Sequence, residues 1–202
     1  MGKLDSKKKQ KQESLFNTAF RLFTTKGMSK TSISDIVNEA GVAKGTFYLY
    51  FKDKYDIRNK LICHKSSELF LKAAKALEKL DHTPDFEEQI IFLIDNIINQ
   101  LDENKALLTF ISKNLSWGIF KDALTSPSNT DDIDFKEVYN KMIEGAEYKF
   151  KNPEVMLFMI VEFVSSTCYS VILYEEPISL KEYKPYLYES VKRIIEINKA
   201  HD

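Results

Sequence analysis

The sequence predicts an all-α protein with a small N-terminal head of three helices and a larger C-terminal helical body, about nine helices in all. Through most of the 202 residues, apolar side chains recur at intervals of three and four, the spacing of an amphipathic helix. No stretch alternates between apolar and polar residues for long enough to form a strand. We place the domain boundary after residue 52, which gives domains 1–52 and 53–202.

The first predicted helix runs from about Ser6 to Lys26 and ends at Gly27. It carries one broad apolar face, which suits a helix that supports the rest of the head: Leu15, Phe16, Ala19, Phe20, Leu22 and Phe23. Four lysines precede that face: Lys7, Lys8, Lys9 and Lys11. They are either an arm that touches phosphates or a solvated start of the helix, and both interpretations stay open.

Residues 32–51 predict a helix-turn-helix. Ser32 and Asp35 have the spacing of a capping box, which satisfies exposed N–H groups where a helix begins. Gly41 stands where a left-handed residue ends that helix. A second helix opens near Lys44 and turns Phe47 and Phe51 inward, four residues apart. In such motifs the second helix is the usual reader of base edges in the major groove.

The outward side of that second helix carries cations, hydroxyls and flat rings, the groups that contact phosphates and base edges. Two further lysines follow near the start of the next helix. The predicted DNA contacts are therefore Lys44, Gly45, Thr46, Tyr48, Tyr50, Lys52 and Lys54. An ordinary helical hairpin with these side chains facing water is the alternative.

The stretch TSISDIVNEAGVAKGTFYLYFKDKYDI, residues 31–57, resembles the DNA-binding signature of the TetR family of bacterial transcription regulators. The matching positions are Thr31, Gly41, Val42, Lys44, Gly45, Thr46, Tyr48, Phe51 and Lys54. The resemblance adds Thr31 to the predicted DNA contacts and implies double-stranded operator DNA as a partner. Ala43 departs from the pattern by replacing a capping Ser or Thr, and Leu49 by replacing a frequent second tyrosine.

The charge of the chain is divided unevenly, although its formal net value is only -1. Residues 1–60 hold 13 basic and 6 acidic side chains, whereas the remainder holds 16 basic and 24 acidic ones. A basic head is attracted to a polyanionic partner, and an acidic body is repelled by it. Charged faces that are merely solvated are the alternative.

The body is predicted to contain long helices near 53–80, 86–101, 105–124, 132–150, 153–174 and 180–199. Between Val155 and Val164, nine of ten residues are apolar and only Glu162 interrupts them. Such a helix is buried on several sides or spans a membrane. Serines and a threonine dilute its second half and two glutamates follow it, so we reject a membrane span.

The last helix offers an apolar stripe for a partner: Leu187, Val191, Ile194, Ile195 and Asn198. The TetR resemblance implies that helices near 153–174 and 180–199 pack against their symmetry mates. We therefore expect a homodimer whose two heads read the half-sites of a palindrome.

The resemblance also implies a small-molecule effector that binds among the middle helices and releases the DNA, most simply from a repressor. Aromatic and sulfur-containing side chains are candidates to line its pocket: Phe92, Phe110, Trp117, Tyr139, Met142, Met156, Phe163 and Tyr169. The three histidines lack metal-ligand spacing, so we expect no metal and no cofactor.

Catalytic signatures are absent from the sequence, including a nucleophile elbow, a phosphate-binding glycine loop and a zinc-protease motif. We therefore predict that the protein is not an enzyme. Cys63 and Cys168 lie far apart, and no secretory signal is recognisable, which favours reduced thiols in the cytoplasm. The alternative function is a helical dimeric protein-interaction module with no DNA-binding activity.

Overall fold

The computed structural model describes residues 3–112 and 135–200, and these residues form nine α-helices. In chain order they are α1 Lys3–Thr25, α2 Ile33–Glu39, α3 Lys44–Tyr50, α4 Lys54–Leu77, α5 Phe86–Glu103, α6 Lys105–Ser112, α7 Phe135–Glu144, α8 Pro153–Tyr174 and α9 Leu180–Asn198. One isolated bridge between Phe150 and Lys199 is the only β pairing in these residues. The predicted all-α fold is confirmed. The second half of the helix predicted at 105–124 lies outside the described residues.

The chain divides into two compact units, residues 1–64 and 65–202. This division falls inside α4, later than the boundary proposed after residue 52. The first turns of α4 belong with the head because their side chains bond to it. Lys60 donates from Nζ to the Tyr50 carbonyl at 2.9 Å, and the His64 ring stacks on Phe16 with 5.0 Å between centroids.

The first unit is built around aromatic side chains from α1 and from the end of α3. Phe47 and Phe51 are almost completely buried, as the four-residue spacing predicts. Phe51 lies 5.3 Å from Phe16 and 5.4 Å from Phe47, measured between ring centroids. Tilted aromatic pairs at this distance add to the free energy gained from burial.

The core of the second unit centres on α8, which packs against α9, α6 and α5. Met156 and Ile160 of α8 are buried in this core together with Leu187 of α9. By length and composition alone α8 could cross a membrane, because the mean hydropathy of its most apolar window is 1.9. Its contacts here are those of a core helix in a folded helical unit.

The predicted end of one helix in the second unit is wrong. The helix predicted over 132–150 ends at Glu144, because the chain beyond it pairs its backbone with the end of α9. The Lys151 N–H donates to the Asn198 carbonyl, and the Ala200 N–H to the Lys149 carbonyl, each at 2.8 Å.

The stripe on α9 that was predicted to face a partner instead faces its own core. Its buried members are Leu187, Val191, Ile195 and Asn198, whereas Ile194 is half-buried. The exposed large apolar residues of the last two helices are different ones: Val155, Phe158, Tyr174, Tyr186 and Ile197.

A polar cluster fastens α9 to α5. Lys184 donates from Nζ to Asp95 and to Asn99, both at 2.6 Å, and the Tyr188 hydroxyl donates to the same Asp95 carboxylate. Burial opposes ionisation of Asp95, but hydrogen bonds from Lys184 and Tyr188 leave its pKa below the usual range. The cluster therefore holds an ionised carboxylate between two helices at neutral pH.

Candidate functional site

The first helix of the helix-turn-helix, α2, begins with the predicted capping box. The Asp35 N–H donates to Ser32 Oγ at 3.0 Å, and the Ser32 N–H donates to the Asp35 carboxylate at 2.8 Å. Lys26 also reaches that carboxylate at 3.0 Å. The backbone bond from Ser32, followed by the Lys26 bond, lowers the pKa of Asp35 to about 2. The start of α2 is thereby fixed against α1.

The turn between α2 and α3 depends on Gly41, whose φ of +66° lies in the left-handed region. The chain then closes through a bond from the Val42 N–H to the Val37 carbonyl at 3.0 Å. Ala43 caps α3 without any side-chain hydrogen bond, in agreement with the predicted departure from the family pattern. The orientation of α3 is therefore set by the turn and by burial of its inner face.

The outer face of α3 is open to solvent. Phe47 is buried beneath it, whereas Tyr48 is 52% exposed and Leu49 is 78% exposed. Lys44 and Gly45 are exposed as well. A Cβ added to Gly45 would meet no atom within 4 Å, so packing among the described residues does not require glycine there. This face is free to approach a partner.

Thr31 and Lys54, both predicted to contact DNA, are occupied inside the first unit. Thr31 is 1% exposed, and its hydroxyl donates to the Gly27 carbonyl at 2.8 Å. Lys54 donates from Nζ to the carbonyls of Met28 and Thr31, at 2.8 and 3.0 Å. Because these groups bond the segment between α1 and α2, we assign both residues a positioning role and leave them out of the proposed interface.

Tyr50 joins the end of α3 to the beginning of α1, because its hydroxyl donates to the Lys8 carbonyl at 3.2 Å. This contact brings the backbone of early α1 beside the end of α3, which the sequence alone could not establish. Thr46 is half-buried, and Lys52 is exposed.

The cations of the first unit fall into two groups. Arg21 pairs with Glu39, Lys26 with Asp35 and Lys60 with Asp56. Within the described part of this unit, the lysines that make no ion pair or side-chain hydrogen bond are Lys7, Lys8, Lys11, Lys30, Lys44 and Lys52. These six supply charge that is available to a polyanion.

A cavity of about 260 Å³ lies inside the second unit, among α4, α5, α6, α7 and α8. Its walls are mainly isoleucine, leucine and valine, with Phe70, Tyr139 and Met142. Cys168 also lines it, and burial raises the pKa of that thiol to about 12. The space is therefore an apolar one in which an ionised group is disfavoured.

The cavity reaches only part of the set that was predicted to bind an effector. Tyr139 and Met142 line it, and Tyr139 donates its hydroxyl to the Pro153 carbonyl at 2.7 Å. Trp117 lies outside the described residues. The other five are not in the wall: Phe92, Phe110, Met156, Phe163 and Tyr169. Over residues 3–112 and 135–200, no cluster of His, Cys, Asp or Glu could hold a metal ion.

These features define an all-helical protein whose N-terminal unit is a helix-turn-helix head and whose second unit encloses an apolar cavity. Residues 15–61 match the family model described as bacterial regulatory proteins, tetR family. The matched residues run from α1 into α4 and include the whole helix-turn-helix. The family described by that model consists of regulatory proteins, which agrees with the predicted absence of catalytic activity.

The chain is similar to an HTH-type transcriptional regulator of Haemophilus influenzae, with 33% identity over 118 residues, covering 58% of this chain and 61% of the relative. Two solved structures show the same fold. A TetR-family regulator from Haemophilus influenzae Rd has a TM-score of 0.61 at 22% identity and covers 98% of this chain and 100% of its own. The regulator FadR from Bacillus subtilis, in complex with stearoyl-CoA, has a TM-score of 0.58 at 17% identity and covers 89% and 96%.

Proposed function

We propose that the protein is a cytoplasmic transcriptional repressor that binds a palindromic operator through α3. The observation that carries this proposal is the exposed outer face of α3, held rigidly by two buried phenylalanines and flanked by unpaired lysines. Lys44, Gly45, Thr46, Tyr48, Tyr50 and Lys52 are the proposed contacts. Lysine and tyrosine side chains on a helix of this kind suit both phosphates and base edges.

Selection of bound sequences from a randomised DNA duplex, using the purified full chain, tests this proposal. We expect a palindromic consensus, and the absence of any consensus would favour a protein-interaction module instead. Tyr48→Ala and Lys52→Ala should each weaken binding to the selected duplex. Lys79→Ala, an exposed lysine in the second unit, is the matched control and should leave binding unchanged.

We also propose that the active form is a homodimer formed through α8 and α9. Support comes from exposed apolar side chains on these helices, among them Phe158 at 40% and Ile197 at 58% exposure. A contiguous apolar patch on a protein surface often marks a protein–protein interface. Phe158→Glu should convert dimer to monomer in a molar-mass measurement by light scattering, whereas Tyr55→Glu, an exposed aromatic position in the first unit, should not. A monomeric wild-type chain would contradict the proposal.

The cavity is the proposed site of a small-molecule effector that releases the DNA. Its apolar walls suit a ligand with a hydrocarbon chain, and the similar FadR structure contains stearoyl-CoA. Titration of a protein–operator complex with candidate ligands, followed by fluorescence anisotropy of the DNA, measures the release. A ligand that binds the free protein without changing operator affinity would not be an effector.

A further inference from the structure

The cavity is lined over several turns by two helices. On α5 its wall extends from Ile90 to Leu101, and on α8 from Leu157 to Cys168. With a rise of 1.5 Å for each helical residue, either set spans about 16 Å. A volume of about 260 Å³ distributed over that length suits one extended chain better than a fused ring system.

The wall carries a single formal charge among its described residues, and that charge is negative. Glu162 belongs to the wall, and its side chain is exposed, so its carboxylate lies at the rim. No lysine or arginine is part of the described wall. Glu162 is also the residue that interrupts the apolar run of α8.

We propose that the cavity binds a single-chain cationic amphiphile, with its alkyl chain along the apolar walls and its ammonium head beside Glu162. The carboxylate attracts such a head and repels a carboxylate or phosphate head of the same chain length. This inference names the class of ligand for the proposed effector site. Its regulatory role rests on the proposed function, whereas binding of the ligand can be measured without DNA.

Isothermal titration of the full chain with decyltrimethylammonium, decanol and decanoate tests the proposal, with the two ionic probes kept below their critical micelle concentrations and decanol below its solubility limit. We expect decyltrimethylammonium to bind most tightly and decanoate least tightly. Glu162→Gln should weaken binding of the cation by roughly twofold to fivefold, the range of a partly exposed ion pair, and should strengthen binding of decanoate. Glu154→Gln, a carboxylate on the same helix outside the wall, is the matched control and should change neither affinity.

Variants with a blocked cavity distinguish binding inside the cavity from adsorption of the probe to the protein surface. Val164→Trp and Ile94→Trp each place a bulky ring in the wall and should abolish binding of all three probes, with folding checked by circular dichroism. Equal affinities for the three probes, tighter binding of decanoate, or undiminished binding by a folded blocked variant would overturn the proposal. Because no DNA is present, these outcomes are distinguishable from failure to select an operator.

Discussion

Lys52 and Lys54 are two residues apart, yet the structure gives them opposite roles. Lys54 bonds two carbonyls of the segment between α1 and α2, whereas the Lys52 ammonium faces solvent. A hydrogen bond to a charged group contributes about 1.5 kcal/mol or more. Lys54 is half-buried, so in the variant water can take over part of the hydrogen bonding to the two carbonyls. We therefore expect Lys54→Met to lower the free energy of unfolding by about 2 kcal/mol.

Lys52→Met is the matched control, and it should leave the free energy of unfolding unchanged within about 0.5 kcal/mol. It should instead reduce the slope of log affinity against log salt for operator DNA by about one unit, because one phosphate contact is lost. Urea denaturation and salt-dependent anisotropy titrations measure the two effects. If Lys54→Met kept full stability and lost a unit of slope, the positioning role assigned to Lys54 would be refuted.

Three further outcomes are expected from local geometry. Gly41→Ala should destabilise the fold by about 1–2 kcal/mol in urea denaturation, since a side chain is strained at positive φ, and an unchanged midpoint would contradict the turn described here. Tyr188→Phe should cost about 1 kcal/mol by removing a donor to Asp95, and the loss should vanish in an Asp95→Ala background, which lacks the acceptor. The pKa of Asp35 falls from 3.8 to about 2 on folding, so its contribution is fully present above pH 3.8 and lost as pH falls towards 2. Asp35→Asn should flatten that part of an acid-unfolding curve, and an unaltered curve would argue against the capping box.

The sequence predicted correctly the local features that depend on residues close together in the chain. The capping box of Ser32 and Asp35, the turn at Gly41 and the inward pair Phe47 and Phe51 all rest on residues a few positions apart. By contrast, Lys54 bonds a carbonyl 26 residues earlier in the chain. Side-chain type and helical period carry no information about such a contact.

The effector residues show the same limit in the second unit. Periodicity indicates that Met156 faces inward, but it does not reveal whether neighbouring helices close over that side chain or leave a gap. Met156 proves to be fully packed. The gap lies beside isoleucines and leucines, such as Ile94 and Leu101, that resemble ordinary core residues in the sequence. The end of α7 at Glu144 likewise depends on backbone pairing with residues far along the chain.

The hydrogen bond from Tyr50 to the Lys8 carbonyl has a practical consequence for protein production. Lys8 is separated from the start of α1 at Lys3 by five helical residues, a rise of only about 8 Å. An affinity tag fused ahead of α1 would consequently emerge close to the recognition surface and compete with oligonucleotides for it. Measurements of DNA affinity should therefore use a C-terminal tag, or a protein from which an N-terminal tag has been completely removed by proteolysis.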